Sequence, residues 1–226
     1  IYEGLLQSYQ IGANAAQIFV TSPYRWSHNI KIQSSDAENV RHFQRDSGFQ
    51  LFVHGKYLYN FCRDREIQRE ALLSELLAAD QLDATGLIIH QGKSCPDIGL
   101  SNQQALDIYV QEICRVLDKF YEVRTPSENF PSLILENSAK QGNELGYSLE
   151  GLQYIWEQIY DDLKPCVSFC IDTCHAFVAG EIDFRYPDNL NQWIQNFDRY
   201  IGLEKLSIIH LNDSKVSFDG KKDRHE

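Results

Sequence analysis

Eight side chains able to bind a metal ion stand at or just beyond the ends of short apolar runs. LFVH stops at His54, LIIH at His90, LILE at Glu136, FCID at Asp172 with His175 three residues on, and IIH at His210, while DRHE adds Asp223 and His225. Imidazoles and carboxylates in this mixture suit zinc or manganese, and with few thiols in the set such a site keeps room for water and substrate. The chemistry this points to is metal-assisted and hydrolytic. Cys174 lies between Asp172 and His175, where a small side chain filling space beside the site accounts for it.

Something must bring those run ends together. Leu/Ile/Val/Phe runs that break off at one polar residue are buried parallel strands whose last side chain leaves the core. They end near Val20, His54, His90, Glu136, Asp172 and His210, about 34 to 46 residues apart, which fits a strand, a loop and a returning helix. Helical patterns over 36–47, 66–77, 102–121, 149–160 and 190–200 occupy the intervals. In the third, Ala105, Ile108, Val110, Ile113, Val116, Leu117 and Phe120 recur at helical steps, with Asp107, Gln111, Glu112 and Arg115 opposite. The same spacing assigns Trp156, Tyr160, Trp193 and Phe197 to the core.

The alternation runs without a linker, so residues 1–226 read as one α/β domain. A doubly wound nucleotide fold would show a glycine-rich turn after its first strand, and none is present. Functional residues at the end of nearly every strand instead indicate a TIM (β/α)8 barrel, whose loops ring one mouth. Eight units need roughly 250 residues and only six strands can be counted, so all or part of the first and last β/α units is expected to be missing. A chain that lacks methionine and opens on Ile1 fits a piece of a longer protein.

Composition narrows the class. At 226 residues and 43% hydrophobic the chain can bury a core, and no apolar stretch approaches the roughly 20 residues of a membrane span. Its six cysteines include no CxxC pair, which favours reduced thiols and an intracellular protein, in cytoplasm or nucleus. A net charge of −11 argues at first against a nucleic-acid partner, yet Lys93, Lys140, Lys215, Lys221, Lys222 and Arg224 all follow strands and would collect at the metal-bearing mouth. His28 and His42 follow no strand-like run and read as surface histidines.

Five segments carry a resemblance: LFVHGKY (51–57), LIIHQGKS (87–94), LILENSAKQGNELG (133–146), FCIDTCHAFVAG (169–180) and IIHLNDSK to DRHE (208–226). Together they resemble the successive signature blocks of endonuclease IV, the zinc-dependent apurinic/apyrimidinic endonuclease family with a TIM-barrel fold. The resemblance extends from NAAQIFV (14–20) to the last residue. It implies a hydrolase that cuts the phosphodiester bond 5′ to an abasic site in duplex DNA, leaving a 3′-hydroxyl, by means of three zinc ions and a metal-bound hydroxide. Manganese is an alternative at one position.

By that resemblance His54, His90 and Glu136 hold a first zinc, and Glu136, bridging, holds a second with Asp172 and His210. The third falls to His175, Asp223 and His225, with Glu136 the catalytic carboxylate. Tyr57 is the DNA contact near the lesion, and Arg25 lies close to a DNA-contacting arginine of the family. The family has one more glutamate ligand beyond Glu226, which the second ion lacks here. Asn137, Asn212 and Asp213 could orient the histidines by accepting their second ring proton. The partner is abasic double-stranded DNA, with no membrane and a monomeric protein. Two rivals remain: a metal-dependent sugar isomerase or epimerase on the same barrel, which would also use Glu136, Asp172 and His210, and a non-cleaving metal- or DNA-binding fragment.

Overall fold

The computed structural model describes residues 1–27, 29–124 and 129–226, so His28 lies outside the described residues. The chain divides into two units, Ile1–Leu58 with Glu66–Ile89 and Arg115–Leu133, and Tyr59–Arg65 with His90–Cys114 and Ile134–Glu226.

In the first unit β1 (Ala15–Ile18), β2 (Gln50–His54) and β3 (Gly86–His90) pair in parallel, Ala15 opposite Gln50 and Phe52 opposite Gly86. The start of β4 (Ser132–Glu136) joins them there, Ser132 N donating to the Thr85 carbonyl at 3.1 Å. In the second unit the end of β4 adjoins β5 (Val167–Asp172), with Asn137 N donating to Cys170 O at 3.3 Å. β5 pairs in parallel with β6 (Leu206–His210), bringing Asp172 opposite His210. Within each unit spatial order follows chain order, the arrangement of a β/α barrel; a doubly wound sheet reverses at its switch point.

Helices fill the intervals: α1 (Tyr2–Gln10), α2 (Ser34–Ser47), α3 (Glu66–Gln81), α4 (Asn102–Val123), α5 (Leu149–Gln158), α6 (Thr173–Val178) and α7 (Pro187–Tyr200). All six residues of β5 are buried, which is why VSFCID is apolar but for Ser168 up to its last residue, Asp172. α2 stops at Gly48, whose φ of 69° is the left-handed value a C-terminal glycine adopts without strain. α5 starts from Ser148, whose hydroxyl accepts from Gly151 N.

Three sequence expectations fail here. Tyr160 is exposed, because α5 ends at Gln158 and Ile159 is already extended. Glu112, placed on the polar side of its helix, is buried at 1% exposure. The helix expected over 190–200 begins at Pro187, a residue suited to the first turn because it has no N–H to satisfy. All six cysteines are buried, and none is in a disulfide. No helix among the described residues is long and apolar enough to cross a membrane.

Beside His54, the first unit buries a charge pair. Lys56 Nζ lies 3.3 Å from Glu75 Oε1 on α3, with the two side chains 0% and 1% exposed. Removing one partner of such a pair leaves an uncompensated buried charge. Lys56→Met is therefore expected to cost about 3–5 kcal/mol in urea unfolding, most of it regained when Glu75→Leu is added. A single variant as stable as the parent would contradict this.

Candidate metal centre

β5 and the turn that follows it build the middle of the site. Asp172 ends the strand and caps α6, its Oδ1 accepting from His175 N at 2.9 Å. One aspartate thereby fixes where the helix starts and turns His175 back toward the strand ends. The His175 ring is held from its other side, Nδ1 donating to the Asn137 carbonyl at 2.9 Å. Asn137 in turn locks β4 to β5: its Oδ1 accepts from Asp172 N at 2.7 Å and its Nδ2 donates to Asp172 O at 3.2 Å.

Glu136, 2% exposed at the end of β4, is surrounded by imidazoles. Its Oε1 accepts from His210 Nδ1 at 2.9 Å and lies 3.7 Å from His175 Nδ1, while Oε2 is 3.5 Å from His90 Nε2. The carboxylate thus faces different histidines with its two oxygens. On the far side of His175, Asp223 Oδ2 is 3.4 Å from Nε2, and Asp223 Oδ1 is 3.0 Å from His225 Nε2. His225 Nε2 also lies 3.8 Å from Asp172 Oδ2. One ligand atom from each of His175, Asp223 and His225 falls within 4.8 Å of the others, as it does for Glu136, Asp172 and His175.

Two of the three orienting residues named from sequence act otherwise. Asn212 Nδ2 donates to Asp172 Oδ2 at 2.5 Å, holding a carboxylate and no histidine. Asp213 turns inward on its own loop, accepting from Ser214 N at 2.7 Å. Asn137 meets His175 through its backbone carbonyl. Sequence reading overlooked Gln141, whose Oε1 accepts from Asp223 N at 3.0 Å and so fixes the loop bearing Asp223 and His225. It also overlooked Cys170, which shares a 4.8 Å cluster with Glu136 and His210. Burial, with the Glu136 and Asp172 charges, pushes the Cys170 thiol far up, so it stays protonated beside the carboxylates. Cys174 shares a similar cluster with Asp172 and His225, and it packs with Ala139 and Val178 in a small apolar core.

Electrostatics follow from this crowding. Burial alone would lower the His175 imidazole, but the Asp223 hydrogen bond and the Asp172, Glu136 and Asp223 charges outweigh it and raise its pKa to about 9. For His210 burial again pulls down, and the bond and charge of Glu136 win. Asp223 is held below the usual carboxylate range by its bond to His175, against its own burial. A cation would replace the protons these groups use to balance one another. The donor set, four imidazoles and three carboxylates in this unit with the neighbouring thiol protonated, fits zinc-type N/O ligation.

Asn212 gives a direct test. Truncating a group that orients a ligating carboxylate typically costs 10–100-fold in metal affinity, so Asn212→Ala should weaken zinc binding by about that much in competition with a chromophoric chelator. Unchanged affinity would remove Asn212 from the site.

In the first unit His54 is buried at the end of β2, Nδ1 donating to Gly55 O at 2.8 Å. Its ring packs against Phe19 and Tyr57, at 5.2 and 5.3 Å between centroids. Arg25 is exposed on the loop after β1. His42 is a surface residue 3.5 Å from Asp46. Among the basic residues, Lys93 pairs with Glu144 at 3.6 Å, Lys221 with Asp219 at 3.6 Å, and Lys140 lies 4.3 Å from the Tyr147 ring centre.

Comparison with known proteins meets this geometry. Residues 6–226 match the family model described as a xylose isomerase-like TIM barrel. The chain is 31% identical to the probable endonuclease 4 of Halothermothrix orenii, over 100% of this chain and 78% of that protein. It is 33% identical to the probable endonuclease 4 of Campylobacter concisus, over 96% of this chain and 74% of the relative. Among solved structures, endonuclease IV of Thermus thermophilus superposes with a TM-score of 0.79 at 24% identity, covering 100% of this chain and 76% of the other.

Proposed function

The chain belongs to the endonuclease IV family and to its TIM-barrel fold, and from that premise we propose that it hydrolyses the phosphodiester bond on the 5′ side of an abasic nucleotide in duplex DNA. The observation that carries this reading is the crowding of His90, Glu136, Asp172, His175, His210, Asp223 and His225 around shared carboxylates at strand ends. Glu136, Asp172 and His175 are buried in that set, and a bound cation would offset the desolvation their burial costs.

Zinc held there, three ions by analogy with the family, would lower the pKa of water toward neutrality and neutralise charge on the phosphate oxygens. The protein's own part is positioning. Glu136 turns one oxygen to His210 and the other to His90, which suits a carboxylate shared by two ions. Asp172, fixed through Oδ1 by α6 and through Oδ2 by Asn212, presents an oriented carboxylate at the same place. His175, Asp223 and His225 form a further trio sharing His175 with the Glu136 and Asp172 group, and an ion held there would neutralise charge on the departing 3′ oxygen. Metal-bound water would be the nucleophile, so this reading calls for no covalent intermediate on the chain. Tyr57 and Arg25, at the loops after β2 and β1, are the proposed DNA contacts.

The test is incision of an end-labelled duplex bearing one tetrahydrofuran abasic analogue. Cutting 5′ to the lesion, lost on chelation and restored by zinc, is expected. A folded, zinc-loaded protein that leaves this duplex intact would overturn the reading.

A further inference from the structure

Two cysteines of the second unit play no part in the proposed hydrolysis. Cys62 stands in the loop after β2 and Cys95 in the loop after β3, and both are buried. The Cys95 Sγ comes to 3.8 Å from the Cys62 carbonyl oxygen and 3.4 Å from that of Lys93. The Cys62 Sγ in turn donates to the Gln91 carbonyl at 3.7 Å, one residue beyond His90.

The two thiols are not equivalent. Arg63, next to Cys62 in the chain, donates from Nε to the Cys95 Sγ at 2.9 Å, and its Nη2 donates to the Asp97 carboxylate at 2.6 and 2.7 Å. A guanidinium against the sulfur is the kind of electropositive surrounding in which reactive cysteines are found. Arg63 and Asp97 are themselves 25% and 60% exposed, and ion pairs at a surface hold weakly, so the contact over Cys95 opens readily. Cys62 is the slower thiol, pushed up to about 12 by burial and by the neighbouring Cys95. The Tyr109 hydroxyl on α4, fully buried, feels Cys62 and has no hydrogen-bond partner among the described residues. Such unpaired groups are few in native proteins, and a redox role is one of the reasons they occur.

We propose that Cys62 and Cys95 are a modification site, a dithiol that a hydroperoxide converts to a disulfide joining the loops after β2 and β3. With hydrogen peroxide, the Cys95 sulfur attacks one oxygen, the O–O bond breaks, and the departing hydroxide takes the Cys95 proton as water, leaving a sulfenic acid. The Cys62 sulfur then attacks the Cys95 sulfur. The S–OH bond breaks, the S–S bond forms, and the second hydroxide leaves as water with the Cys62 proton. Two thiols lose two electrons and one peroxide gains them. The disulfide also removes the S–H that the Gln91 carbonyl accepts, which makes the loop following His90 sensitive to oxidant. The inference stands independently of the nuclease reading.

To test this, the zinc-loaded protein is treated with hydrogen peroxide, its remaining thiols are blocked in denaturant, and its peptides are mapped by mass spectrometry without reduction. The intact mass should fall by two hydrogens, and one cross-linked pair, Cys62 to Cys95, should appear and be reversed by dithiothreitol. Cys114, Cys166, Cys170 and Cys174 should remain reduced. Cys62→Ser should leave Cys95 as a sulfenic acid that dimedone captures, and Cys95→Ser should abolish the reaction. A folded parent that keeps both thiols while glutathione in the same solution is consumed would overturn the proposal. Oxidation of all six cysteines together, or of Cys95 without a link to Cys62, would overturn it equally.

Discussion

Glu136→Gln is expected to abolish incision almost completely, a fall of at least about 10²- to 10³-fold, with loss of bound zinc. The substitution keeps the size of the side chain and removes one charge. That charge sits at 2% exposure among three imidazoles, His210 at 2.9 Å, His90 at 3.5 Å and His175 at 3.7 Å. An amide offers only one oxygen where the carboxylate offers two, and its NH2 would confront an imidazole nitrogen. It can neither bridge two ions nor balance them. The control is Glu157→Gln on the exposed side of α5, which should cut at the parental rate. Metal content, incision and melting are measured together. A folded Glu136→Gln protein that cuts within tenfold of the parent would exclude this carboxylate from the centre.

The strand ends were readable because burial on both faces keeps a parallel strand such as β2 to β5 largely apolar until its last residue, and the half-exposed β6 still ends its apolar run at His210. LFVH, LIIH, SLILE, VSFCID and LSIIH accordingly stop where β2 to β6 stop. The barrel expectation followed from that pattern, and the family match supports it. Short elements escaped. α6 has six residues, too few for a 3.6-residue period to show, although an aspartate is itself a favoured N-cap residue. Its Asp172 was read only as a ligand, when the same carboxylate also starts the helix.

What stayed hidden is pairing across long separations. Lys56 and Glu75 look like ordinary surface charges until α3 packs on β2, and nothing local marks them as a buried pair. Gln141 meets the Asp223 backbone across 82 residues of chain, and Asn212 meets Asp172 across 40. Sequence periodicity gives which residues leave the core together, whereas the groups that hold a ligand in place are set by packing between elements.

Chelation should destabilise the protein, and by more as pH rises. Glu136 and Asp172 are buried beside His175 and His210, so in the metal-free fold protons on those imidazoles take the place of a cation. His175 carries the larger share, its pKa raised to about 9 by Asp223, Asp172 and Glu136 against the opposing effect of burial. A group whose pKa is higher folded than unfolded stabilises fully below the unfolded value, near 6.5 for histidine, and loses that contribution as pH climbs through the folded one. Integrated over that interval, the His175 contribution amounts to about 3 kcal/mol, so the metal-free protein should weaken steadily from pH 6.5 to 8.5. Zinc works in the opposite direction, since it binds the deprotonated rings and its affinity grows as protons leave. At free zinc near 1,000 times its Kd the gain is about 4 kcal/mol, and zinc uptake should release protons measurably in weakly buffered solution. Urea midpoints with and without zinc should therefore diverge between pH 6.5 and 8.5, below the range in which the raised Cys62 and Cys170 thiols contribute. A cluster of histidines and carboxylates that served only as structural ion pairs would weaken with pH equally in both conditions, because no cation would stand ready to replace the protons. Parallel curves would refute the metal centre on stability grounds alone, with no assay of cutting required.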